Sequence, residues 1–483
     1  MSTLKEQTLH GVKWNAISSA FSKIANFLLG IVLARLLTPS DFGVVGMTAI
    51  FFAISNILID SGFSLSIIRK KDITIEDTST AFYFNILVSI ACCAIICFYS
   101  REIAQFLNVP VLEQILIIPS LGLVVGALGS VQWALITRNV DFKTPALINM
   151  PLSVLTGVVG IILAYLNYGV WALVWSSFIG IVLKTIYIWI KSSWRPRFLF
   201  SYNSFKSFFS FSGNLVLNSF FDIFFSQGIG MIIGKFYKPA QLGYYSKGQG
   251  TASIPSTFLY SIVENVVFPV LSKIQDEEEK LLVVYSKFMR MMSMIIFFSM
   301  ALCFVMSKPL IILLYTEKWE PAIVFMQLFC LNYMFYHIHA INWNLLIVKG
   351  RTDWAFKKEI INKGIRFALI IMGISYGPVY VCAALLVSCV VELFVNTIVT
   401  GKVANYGLME QFRDFVPYLF LAIVSCIPSL FITTLDIHPL IILCIQIPLA
   451  GILYCGVLLL TKKEDVSELI KLTPLSKIKF FAI

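Results

Sequence analysis

Apolar runs of about 20 residues recur from one end of this 483-residue chain to the other. Each is long enough to cross a hydrocarbon core of about 30 Å as a helix. Composition agrees, with 58% of residues hydrophobic, 13% charged and a mean hydropathy of +0.85. Soluble domains carry roughly 25% charge. The expected fold class is therefore an all-α membrane protein with about 14 transmembrane helices. The spans run roughly over 14–37, 42–66, 80–99, 114–136, 146–166, 170–190, 208–233, 249–271, 284–314, 322–347, 361–376, 378–400, 414–433 and 439–460. The N-terminal stretch is polar and lacks a short apolar core with a small-residue cleavage site, so no removable signal peptide is expected.

The net charge of +11 raises the question of nucleic acid, but the cations lie between apolar runs, where they set topology. With the N-terminus inside, the cytoplasmic segments and adjoining span ends hold 28 Lys and Arg, against about seven outside. Both termini are thus expected in the cytoplasm, and no nucleic-acid partner is expected. Ten cysteines are scattered through the apolar segments without a CxxC pair and read as small buried hydrophobes.

A half-chain repeat organises these spans. Residues 30–43 read GIVLARLLTPSDFG, and residues 230–243 read GMIIGKFYKPAQLG, an offset of 200. Gly30, Arg35, Pro39 and Gly43 pair with Gly230, Lys235, Pro239 and Gly243. In each copy an apolar helix ends on a cation, turns at a proline and restarts. Thr38 and Asp41 have the spacing of a capping box, with Pro39 at the first helical position. Internal repeats of this scale often frame a central substrate site in transporters. The expected division is a lobe at 1–200 with spans 1–6, a lobe at 201–405 with spans 7–12, and an extra helix pair with its tail at 406–483. Both repeated turns fall at the external ends of spans 1 and 7, as paired hinges rather than as the substrate site.

Charge inside a bilayer is costly and faces protein or a watery cavity. Lys23, Asp60, Lys184, Asp222, Glu264, Arg366 and Glu392 are the seven such residues. Lys184 and Arg366, near cytoplasmic ends, read as snorkelling anchors. Span 1 carries Ser18, Ser22, Asn26 and Gly30 in steps of four, and span 7 carries Asn214, Asn218, Asp222, Ser226 and Gly230 in the same step. That step keeps polar groups on one slowly drifting helix side. Such residues serve helix packing as well as cavities. Asn56 with Asp60 continues the pattern in span 2, and Ser256, Tyr260 and Glu264 do so in span 8, which Pro255 and Pro269 should kink. His337 and His339 in span 10 have no carboxylate or cysteine at ligand spacing, so no metal site is expected. There is no P-loop, and no exposed acid pair or triad. Neither a cofactor nor a catalytic residue is expected.

The segments ARLLTPSDFG, VVFPVLSKIQD and KGRTDW resemble those of Wzx-like bacterial polysaccharide-export flippases of the multidrug/oligosaccharidyl-lipid/polysaccharide superfamily. The resemblance covers nearly the whole chain and implies two six-helix lobes that open alternately to either side of a central cavity. It implies a cargo of undecaprenyl-diphosphate-linked oligosaccharide, moved from the cytoplasmic to the outer leaflet of a bacterial plasma membrane. Cavity cations would hold the diphosphate, and a last helix pair would form a lipid-side groove. On that basis Lys23 is expected to contact the diphosphate, with Arg35 and Lys235 as rim residues. Asn26, Asn218 and Asp222 would meet sugar hydroxyls, and Asp60, Asp222 and Glu264 would couple a proton or sodium ion. Membrane lipids and polysaccharide polymerase machinery are the other implied partners. A cation-coupled drug antiporter of the same superfamily is the alternative, favoured by an acidic and aromatic cavity. A membrane polysaccharide polymerase or ligase would instead need a large external loop, which this chain lacks.

Overall fold

The computed structural model describes residues 4–139, 141, 143–262, 267–462 and 464–467; for 4–13, 15–16, 214–215 and 261–262 only the backbone is described. Every regular element among them is helical. Eleven of these helices are long and apolar enough to cross a membrane. Large apolar side chains such as Phe98, Ile190, Phe420 and Ile452 stand exposed on them, a surface suited to lipid and not to water.

The chain forms two compact units, Met1–Gly243 and Tyr244–Ile483. The first contains α1 (Leu4–Leu36), α2 (Pro39–Asp60), α3 (Phe63–Arg69), α4 (Ile75–Phe98), α5 (Ser100–Leu107), α6 (Leu112–Ile115), α7 (Ile117–Arg138), α8 (Lys143–Tyr165), α9 (Val170–Lys191) and α10 (Tyr202–Phe236). The next helix, α11 (Pro239–Ile262), begins just before the boundary. The second unit continues with α12 (Phe268–Lys273), α13 (Glu278–Val305), α14 (Ser307–Tyr315), α15 (Ala322–Met334), α16 (Tyr336–Val348), α17 (Thr352–Ile374), α18 (Pro378–Ala404), α19 (Leu408–Ile432) and α20 (Pro439–Thr461).

The repeat is visible in helix lengths. Both α1 and α10 are long, at 33 and 35 residues, and are followed by helices of 22 and 24 residues after a proline turn. Thr38 caps α2: its side chain accepts from the Asp41 amide at 3.3 Å, and Asp41 accepts from the Thr38 amide at 2.8 Å. The other copy has Lys238 and Gln241 at these places and keeps only a backbone bond, Gln241 amide to Lys238 carbonyl at 2.9 Å. The two turns meet. A Cβ at Gly43 would lie 1.7 Å from the Pro239 carbonyl oxygen, and one at Gly243 would lie 1.9 Å from the Pro39 carbonyl oxygen. Only glycine permits backbones that close, so the matched glycines reflect a reciprocal crossing as well as a repeat. This crossing lies inside the first unit, so the packing boundary near 243 and the repeat boundary near 200 are different divisions of the chain.

Three expected spans are absent from the eleven. Span 8 falls on α11, and residues 263–266 after it, with Glu264, lie outside the described residues. Pro255 is inside α11, and Pro269 sits in the first turn of α12. Span 10 is divided at Phe335 into α15 and α16, of 13 residues each. Span 11 falls on α17, whose first two-thirds carries Asp353, Lys357, Lys358, Glu359, Lys363 and Arg366. Length for span 10 and charge for span 11 keep those helices below the threshold, and α11 falls short because Gln, Ser, Thr, Gly and Lys247 dilute its apolar residues.

In the second unit, Tyr454 of α20 stacks on Phe298 of α13 at 4.3 Å and donates to the Met294 carbonyl at 2.6 Å. The last helix pair is thus packed onto α13. Asp414 of α19 accepts from Ser286 at 2.6 Å, and Arg290 bridges Asp414 and Asp465 at 3.4 and 3.2 Å. All ten cysteines are free; Cys444 and Cys455 are exposed on α20 rather than buried, where a thiol meets lipid as readily as methyl would.

Candidate functional site

The first unit contains a cavity of about 680 Å³ between α1, α8 and α9. Its α1 wall includes the sequence stripe Ser18, Ser22, Asn26 and Gly30, with Lys23 beside it. On α8 it takes Asn149, Ser153 and Thr156, and on α9 Ser176, Ser177, Gly180 and Lys184. Both stripes follow from helical spacing: Asn149, Ser153 and Thr156 step by four and three, and Ser176, Gly180 and Lys184 step by four. Ser153 donates locally to the Met150 carbonyl at 2.8 Å and Thr156 to the Leu152 carbonyl at 2.8 Å, which settles their protons and leaves oxygen lone pairs.

A second cavity of about 480 Å³ lies on an adjoining face of α9, against α2, α3 and α7. Asn56, Ser64, Ser130, Trp133 and Thr185 give it polar and aromatic groups. Ile181 and Lys184 line both cavities. The Lys184 ammonium lies 4.1 Å from the centre of the Trp133 ring, a cation–π distance. Lys184 therefore turns to the interior of the unit. A snorkelling reading from its position near the helix end missed this, although its four-residue spacing from Gly180 and Ser176 carried the signal. Lys23 and Lys184 are the charged residues among those lining the two cavities, and no carboxylate is among them.

The other sequence candidates stand elsewhere. Asn218 and Asp222 are exposed on α10 and line neither cavity. Arg35, at the last turn of α1, is exposed and likewise outside both. Lys235 turns onto α5: its ammonium donates to the Phe106 carbonyl and lies 4.2 Å from that ring's centre. This anchors the end of α10.

Asp60 ends α2 at a break where Ser61 and Gly62 both adopt the left-handed conformation, with φ of 44° and 70°. Its carboxylate accepts from the Ser64 hydroxyl at 2.5 Å and the Ser64 amide at 3.3 Å, so it caps α3. Arg138, at the end of α7, closes the other end of α3 by donating to the carbonyls of Ile67 at 2.6 Å and Lys71 at 2.6 Å, and also to that of Lys70. The connector after α9 is fastened nearby. Trp194, Arg197 and Ser201 donate to the successive hydroxyls of Thr78, Ser79 and Thr80 at 3.0, 3.1 and 2.9 Å.

Several polar groups in the second unit are engaged with one another. Arg366 pairs with Glu392 at 2.6 Å. His339 shares a hydrogen bond with Asn396 at 2.6 Å, and His337 one with Ser293 at 2.9 Å. Tyr285 donates to Asn342 at 2.6 Å, which donates to Gln411 at 3.0 Å.

Comparison with known proteins places this architecture. The fold matches that of a lipid II flippase, MurJ, in an inward closed conformation, with a TM-score of 0.74 at 18% identity, covering 94% of this chain and 99% of that one. It matches an inward-facing multidrug resistance transporter of the MATE family less closely, with a TM-score of 0.58 at 13% identity over 80% of this chain and 95% of the other. In sequence the chain is 24% identical to the lipopolysaccharide biosynthesis protein WzxC of Escherichia coli (strain K12) over 438 residues, 89% of this chain and 88% of WzxC. It is 24% identical to the teichuronic acid biosynthesis protein TuaB of Bacillus subtilis (strain 168), over 74% of each chain. The succinoglycan biosynthesis transport protein ExoT of Rhizobium meliloti (strain 1021) is 23% identical over 56% of this chain and 54% of its own. Residues 32–324 match the family described as polysaccharide biosynthesis protein, which is more than half of the chain, and this multi-pass membrane protein belongs to that family.

Proposed function

We propose that this protein is a flippase. It moves undecaprenyl-diphosphate-linked oligosaccharide from the cytoplasmic to the outer leaflet of a bacterial plasma membrane by alternating access, with both termini in the cytoplasm. The observation that carries this reading is the lining of the first unit's larger cavity: hydroxyls and amides around two lysines, without a carboxylate. Hydroxyls and amides pair with sugar hydroxyls, and ammonium groups meet phosphate through charge-assisted bonds. A cationic drug would meet repulsion there, and the antiporter alternative expects the opposite lining. Relatives named for lipopolysaccharide, teichuronic acid and succinoglycan biosynthesis support a glycan cargo.

Transport of this kind needs no bond to be made or broken by the protein, so its chemistry is binding and release. Lys23 contacts the diphosphate, and Asn26 with Asn149 meets the first sugars. Asp60, Asp222 and Glu264 remain the candidates for coupling to a proton or sodium ion, with Asp60 also holding α3. The helix pair α19–α20 offers a lipid-side groove for the polyprenyl tail, and polymerase machinery receives the cargo outside. The test is a deletion strain. It should lose surface polysaccharide and accumulate lipid-linked repeat units on the cytoplasmic leaflet. Normal polysaccharide without accumulation would sink the reading.

A further inference from the structure

Lys184 is the cation that lines both described cavities, which meet on adjoining faces of α9, and its ammonium rests on the Trp133 ring at 4.1 Å. Among the described residues no carboxylate lies within ion-pair distance of it. Its backbone is held: Thr185 donates to the Val125 carbonyl at 3.1 Å, and Trp189 donates through its indole to the Leu128 carbonyl at 2.9 Å, tying α9 to α7. The four-carbon stem is the part free to move.

We propose that Lys184 and Trp133 form a switchable diphosphate subsite. The ammonium rests on the indole when the larger cavity is empty, and leaves it to join Lys23 when a diphosphate enters. An aromatic face attracts an ammonium ion through its quadrupole only, so a multiply charged anion outcompetes it at short range. The ring thus keeps the lysine solvated by something other than a counter-ion, and holds it in reserve without filling the site. Trp133 is a positioning residue and Lys184 a ligand. The proposal rests on the flippase reading for the origin of the diphosphate, though the chemistry is shared by free pyrophosphate.

The test uses the full chain in neutral-lipid nanodiscs, titrated with inorganic pyrophosphate and, separately, with a short-chain prenyl-diphosphate sugar. Tryptophan emission should change saturably with either probe, and Trp133→Phe should remove most of that change. Lys184→Gln should weaken binding about tenfold, the weight of one charge-assisted contact, while Lys184→Arg retains most of it. Trp133→Leu should tighten binding about threefold, because the ammonium no longer has a partner to leave. Opposite signs for the two positions are the signature, since a purely structural role would weaken both. Unchanged affinity in Lys184→Gln, or a Trp133→Leu variant as weak as Lys184→Gln, overturns the subsite. If pyrophosphate behaves as described and the prenyl-diphosphate sugar does not bind, the subsite stands and the cargo reading fails. If the sugar probe binds equally to wild type and Lys184→Gln, the reverse holds.

Discussion

The polar clusters described in the two units differ in what their groups meet. In the first, the lysines and hydroxyls of α1, α8 and α9 surround open space. In the second, comparable groups bond each other: Arg366 with Glu392, His339 with Asn396, and Arg290 with Asp414 and Asp465. A polar group enclosed in a helix bundle needs a partner, and that partner is either another side chain or a ligand. Groups satisfied internally stabilise the unit that holds them. Groups left facing a cavity cost stability and are available for recognition. Under the proposed function, the cluster around the first unit's cavity is the one that binds, and the paired groups Arg366–Glu392 and Arg290–Asp414–Asp465 hold the second unit together.

Substitutions can break this contrast, and the largest effect should come from the first unit. Lys23→Ala should lower export of surface polysaccharide by at least about tenfold, through loss of a charge-assisted phosphate contact, with normal membrane abundance. Wild-type polysaccharide in that variant would remove Lys23 from the site. Next is Arg366→Ala, which strands Glu392 where only 8% of its side chain is exposed. Losing one partner of a buried pair should destabilise the protein by about 3 kcal/mol, read as a lowered unfolding midpoint in detergent. Pyrophosphate affinity should hold among the molecules that remain folded; a parallel loss of both would erase the distinction between the units. The smallest effects come as a matched pair. Tyr454→Phe should cost about 1 kcal/mol of stability by deleting its bond to the Met294 carbonyl, with transport kept. Asn149→Ala should show the reverse, reduced transport with an unchanged midpoint. If both variants fall in the same assay, buried polarity does not divide by unit.

Much of the site was legible before any coordinates. The stripe from Ser18 to Gly30 forms one wall of the larger cavity because a four-residue step keeps side chains on one helix side in any fold. The same arithmetic finds Asn149, Ser153 and Thr156. What it does not supply is which stripe faces which. The stripe on α10, with Asn218 and Asp222, has the same period and lines neither of the two cavities. Asp60 likewise looked like a lone intramembrane acid and is a cap for α3, because the break at Ser61 and Gly62 brings Ser64 back to it. The repeated turn held a second message as well. Its paired glycines permit each copy to cross the other at the opposite proline, a contact between segments 200 residues apart.

By itself, then, the sequence determined the membrane class, the helical character and the half-chain repeat, because these follow from run length and local spacing. Capping at Thr38 and Asp41 belongs with them, since it is closed within one turn. Tertiary structure alone decided that Lys184 rests on Trp133 between two cavities, and that Lys235 is spent on Phe106. A cation near a helix end has the same local pattern whether it reaches for water, an indole or a carbonyl. The choice depends on which neighbour packing brings within about 4–6 Å, and no helical period encodes that.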